Sequence, residues 1–109
     1  MNIEIHEPKG KVKGFVTDYL RDRLISLHHK DREISRAQVY FRELTDDLPD
    51  NKVCEIDLTI YGDSIFVHRK ASSFEHPIRE TLEELERKVD EQLSRQNEPP
   101  DELTTTVNA

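Results

Sequence analysis

The sequence predicts an α+β domain in which a four-stranded sheet carries two helices on one face, in the order β-α-β-β-β-α. Two stretches of helical periodicity and four of strict alternation predict it. Each alternating stretch is apolar on one side only, and each helical stretch has a single apolar stripe. One-faced elements bury those faces most simply when both helices lie on the same side of the sheet. At 109 residues the chain makes one domain.

Residues 2–7 alternate, with Ile3 and Ile5 opposite Asn2, Glu4 and His6, and Pro8 and Gly10 end this strand. From Lys11 the spacing changes to three and four. Val12, Phe15, Val16, Tyr19, Leu20, Leu24 and Leu27 form a helical stripe over about residues 11–29. Gly14 weakens its first turn, and His28, His29 and Lys30 suit the negative end of its dipole. A helix between two strands predicts a right-handed crossover and a parallel pair. Alternation returns over 34–44, where Ala37, Val39 and Phe41 face one way and Gln38, Tyr40 and Arg42 the other. A polar loop follows, and then Cys54, Ile56, Leu58 and Ile60 alternate with polar residues. Tyr61-Gly62-Asp63-Ser64 reads as a hairpin turn into a last strand with Ile65, Val67 and Ala71 inward. Ser72 or Ser73 caps the final helix, whose stripe is Phe74, Ile78, Leu82, Leu85, Val89 and Leu93. The domain therefore occupies residues 1–96. Residues 97–109 have no period and read as a disordered acidic and polar tail.

Composition excludes several classes. No long apolar run opens the chain or is long enough to cross a membrane, so the expectation is a cytoplasmic protein with no membrane partner. The one cysteine, Cys54, sits in an alternating apolar strand and reads as a buried core thiol. No glycine-rich phosphate loop, nucleophile elbow or metal-type Cys/His spacing is present. His28 and His29 point about 100° apart on a helix and cannot share a metal. The carboxylates of Glu83, Glu84 and Glu86 fit a solvated helix face. No catalytic residue, metal site or cofactor is expected, and the chain does not read as an enzyme.

The formal net charge is −7, against the basic footprint usual for phosphate binding. Its distribution is uneven: residues 1–44 carry +2, residues 45–73 carry −3 and residues 74–109 carry −6. Any polyanion contact therefore involves the first half and chosen cations of the last helix. Arg23 falls by helical angle within the first apolar stripe. Either it snorkels, its stem on the core and its head in water, or packing holds it ready for a ligand. Arg87 and Lys88 serve either helix pairing or phosphate contact.

The run from Asp57 to Val89, two strands at a tight turn leading into an amphipathic helix, carries a resemblance. With Asp22-Arg23-Leu24-Ile25-Ser26-Leu27 in the first helix and Leu85-Glu86-Arg87-Lys88-Val89 in the last, it resembles the hibernation promoting factor and sigma-factor modulation family. The resemblance covers about residues 2–96. It implies a fold similar to double-stranded-RNA-binding domains with an added first strand. It also implies a ribosome-associated translation inhibitor that binds small-subunit ribosomal RNA near the decoding region and protects idle ribosomes under stress or in stationary phase. Family members grip ribosomal RNA with basic residues of both helices. Carried over, the RNA-binding residues are Arg23, Arg87 and Lys88, with Arg79 and Lys70 beside them. The implied partner is the small ribosomal subunit. Self-association is expected to be no more than a weak homodimer through an exposed edge strand. Long members pair ribosomes through a second domain, which is not expected of this chain.

Two positions depart from the family pattern. Many members have lysine where this chain has Glu84 and Glu91. The alternative expectation is therefore an acidic protein-interaction module on the same fold, binding a basic protein instead of the ribosome. A small-molecule enzyme is a third class, with no pocket chemistry in the sequence to support it.

Overall fold

In the computed structural model, residues 1–44 and 49–97 are described. The elements are β1 (Asn2–His6), α1 (Gly14–Lys30), β2 (Ile34–Glu43), β3 (Lys52–Ile60), β4 (Asp63–Ala71) and α2 (Glu75–Asn97). They form one sheet in the order β1-β2-β3-β4. The predicted order β-α-β-β-β-α is the observed one. Residues 98–109, nearly all of the expected tail, lie outside the described residues.

β1 pairs parallel to β2, with Ile3 beside Ala37 and Ile5 beside Val39. The other two pairings are antiparallel and place Ala37 opposite Leu58, Val39 opposite Ile56 and Ile56 opposite Val67. This register follows from the apolar pattern, because a one-residue slip would turn every inward side chain to water. Tyr61 (φ 54) and Gly62 (φ 79) both take left-handed backbone, so the β3–β4 hairpin closes on the two-residue turn that matches strand twist.

One core joins the sheet to both helices. Leu20, Leu24 and Leu27 of α1 and Ile78, Leu82, Leu85 and Val89 of α2 share it with Val39, Ile56, Leu58, Ile60 and Val67. Both helices therefore cover the same sheet face, as the patterning predicts. Cys54 is fully buried there. Burial, with the charge of Glu55, pushes its thiol up to about 12, so it stays protonated at neutral pH. The Thr81 hydroxyl lies in the same layer and donates to the Pro77 carbonyl at 2.7 Å, which settles a polar group that would otherwise be costly there. At the start of α2 the Ser73 hydroxyl accepts the His76 backbone N–H at 3.2 Å, choosing between the two predicted caps.

One expectation is corrected. Phe15 and Tyr19 are not core residues; they are 62% and 41% exposed. They line an open groove beside α2 instead of packing under it. The buried line is Val16, Leu20, Leu24 and Leu27, and Phe15 lies about 100° around the helix from Val16.

The fold sets a pH dependence of stability. Desolvation, the N-terminal ammonium and Arg32 hold the His28 imidazole below its usual 6.5. The fold thus favours the neutral ring. That contribution is complete above pH 6.5 and is lost as the pH falls through the lowered folded value. Urea midpoints measured from pH 7.5 to pH 5 should therefore fall with pH, and His28→Gln should flatten the fall.

Candidate functional site

The predicted basic residues divide between three places. Arg23 stands on α1 and faces α2. Its guanidinium donates to the Glu86 carboxylate, with which it pairs, and to the Tyr19 hydroxyl at 3.0 Å. The Glu86 hydrogen bond, opposed by partial burial, raises its pKa further above the usual guanidinium value. An ion pair across the helices and a hydrogen bond within α1 thus fix the guanidinium. Arg79, on the first turns of α2, lines the same interhelical groove as Arg23. It is 81% exposed and meets Glu83 at 3.7 Å.

Arg87 and Lys88 lie further along α2. They converge on Glu84, at 3.9 and 3.5 Å, and Arg87 also donates to Glu91 at 2.9 Å. The third cation on Glu84 is Arg69 of β4, at 2.5 Å. Strand parity explains its arrival: Arg69 shares the inward side of β4 with Val67 and Ala71, so its side chain runs under α2. Glu84 is only 17% exposed, and its Oε1 is buried without an aligned hydrogen bond. The charges of three cations therefore hold this carboxylate, and Arg69 was the member of the cluster that alternation could have assigned.

Lys70 is elsewhere. It lies on the open face of the sheet with Phe66 and His68, across the domain from the helical cations. The structure thus brings Arg23 together with Arg79, and Arg87 with Lys88, and it does not bring Lys70 to either group. His6 and His68 share that open face and one row, His6–Tyr40–Glu55–His68, but stand at opposite edges of the sheet. Among the described residues no group of three or more His, Cys, Asp and Glu side chains could hold a metal. No helix among them is long and apolar enough to cross a membrane.

A pattern joins these contacts. Lys13 meets Glu75 at 3.3 Å, Arg23 meets Glu86, and Lys30 meets Asp90 at 3.1 Å. In each pair the cation comes from α1 or the residue before it, and the carboxylate from α2. The charge asymmetry of the sequence is in part an interhelical ladder. Lys9, Arg21 and Lys70 form no ion pair with another described residue.

The described residues thus form an α+β sheet with both helices on one face and ion-paired cations along those helices. Solved structures share this fold. A ribosomal subunit interface protein from Coxiella burnetii superposes with a TM-score of 0.71 at 13% identity, over 86% of this chain and 99% of that one. The N-terminal domain of Protein Y from Thermus thermophilus gives 0.68 at 18% identity, over 84% of this chain and 99% of that one. The resemblance to hibernation promoting factor drawn from the helix strings and the hairpin therefore holds at the level of the fold. No protein-family model matches the sequence, and no curated protein matches it closely enough to carry an assignment.

Glu84 gives a direct test of the α2 cluster. Glu84→Gln leaves Arg69 half-buried without its counter-charge, which should cost about 1–3 kcal/mol in urea unfolding. The same variant frees Lys88 and leaves Arg87 with Glu91 alone, and its retention on a heparin column should increase.

Proposed function

We propose that this protein is a non-enzymatic, ribosome-associated translation inhibitor. It docks on small-subunit ribosomal RNA near the decoding region and protects idle ribosomes under stress. The observation that carries this reading is a fold shared over nearly the whole length of two solved neighbours, one of them a ribosomal subunit interface protein. The docking face is the outer side of the two helices, with Arg23, Arg79, Arg87 and Lys88 as phosphate contacts. Lys70, on the open sheet face, lies outside this docking face.

The ion pairs do not forbid this. Exposed pairs such as Arg79–Glu83 and Arg87–Glu91 are worth about 0–1 kcal/mol each, so a phosphate can replace the carboxylate at little cost. Net repulsion from the −7 charge is screened beyond about 8 Å at physiological salt. RNA binding then rests on few contacts, and it is weaker than a basic helix would give.

A second reading, an acidic module that binds a basic protein, is favoured by one observation. Each of the four proposed phosphate contacts, Arg23, Arg79, Arg87 and Lys88, already has a carboxylate partner. Co-sedimentation with purified small subunits across a salt series separates the two. The ribosome reading expects binding that weakens with salt. Arg23/Arg87/Lys88→Ala should weaken it at low salt and lower the log–log salt slope by about two to three units. Absence of co-sedimentation at every salt concentration would leave the protein-partner reading.

A further inference from the structure

We propose that the groove between α1 and α2 is a self-association surface whose occupant is the same face of a second copy. The groove measures about 430 Å³ and is floored by Val16 and Ile78. Phe15 stands at its rim, the most exposed of the large hydrophobic side chains among the described residues, with Tyr19 one helical turn on. An exposed phenylalanine beside an apolar groove is a knob and a hole on one surface.

The charges at this rim are of both signs. Arg23 and Arg79 lie on it with Glu75 and Glu83. Arg79 already has Glu83 at 3.7 Å, and Arg23 has Glu86. Such a rim carries no net charge of its own, so it presents both signs to whatever seats on the groove. A two-fold axis through the face sets each Phe15 over the partner's groove and lets Arg79 of one copy approach Glu75 or Glu83 of the other. A surface that holds a knob, a hole and both charges is complementary to itself, as an isologous interface requires. An aromatic centre with a charged rim is also the usual anatomy of a protein interface.

One consequence rests on the ribosome reading: Arg23 and Arg79 belong to both surfaces, so the dimer and the ribosome-bound protein exclude each other. The association itself is tested without ribosomes, so its outcome is independent of that reading. Sedimentation velocity from micromolar to near-millimolar protein should show a reversible monomer–dimer equilibrium. Phe15→Ser should raise the dissociation constant about tenfold or more, with an unchanged circular dichroism spectrum, because the side chain is outside the core. Phe66→Ser, on the open sheet face, should leave the equilibrium unchanged. A monomer at all concentrations would overturn the proposal. So would a dimer lost with Phe66→Ser and kept with Phe15→Ser, which would place association on the sheet.

Discussion

With hydrophobic residues at 34% and charged residues at 36%, this chain can build one apolar layer and no more. The sheet spends that material on one face. Ala37, Val39, Ile56, Leu58 and Val67 point inward, and the other side is mostly polar, with Phe66 exposed on it. Both helices must therefore lie on the same face, and they must lie side by side. From that constraint comes the groove between them, the exposure of Phe15 and Tyr19, and the closeness of α1 cations to α2 carboxylates. Single Leu→Ala changes in such a shared layer typically cost about 2–5 kcal/mol, a large part of a small domain's stability.

The helices then solve a second problem. Two adjacent helices of like charge would repel along their length. Here Lys13, Arg23 and Lys30 answer Glu75, Glu86 and Asp90, so the acidic helix is neutralised by its neighbour. Arg69 does the same from the sheet, beneath Glu84. The acidic character of α2 is thus built into the packing, and it sets the terms on which any phosphate is met. A ligand must compete for cations that already have partners. Exposed partners give way easily. The half-buried pair Arg23–Glu86 resists more, because separating it leaves a poorly solvated charge.

Much of the fold was legible because its signals are local and repeated. Strict alternation from Cys54 to Ile60, the Tyr61-Gly62 turn and the α2 stripe each name a structure by themselves. The α1 stripe misled at Phe15 and Tyr19, since an apolar residue near the stripe's edge is buried only if something packs over it. That depends on how far α2 and the sheet reach, which periodicity does not encode. The site was less legible for a related reason. Arg23, Arg87 and Lys88 stand out in the helix strings as candidates, but their partners lie on other elements or read only as helix solubility. Arg69 could have been placed by parity with Val67 and Ala71. The pairing of Arg23 with Glu86, 63 residues apart, needed the packing of the two helices.

The central claim is that the outer side of the two helices meets small-subunit RNA. Chemical footprinting of that RNA, with and without the protein, tests it most directly. The account predicts protection concentrated in the decoding region, lost when Arg23, Arg87 and Lys88 are replaced by alanine. Protection elsewhere on the subunit, or none at saturating protein, would contradict it.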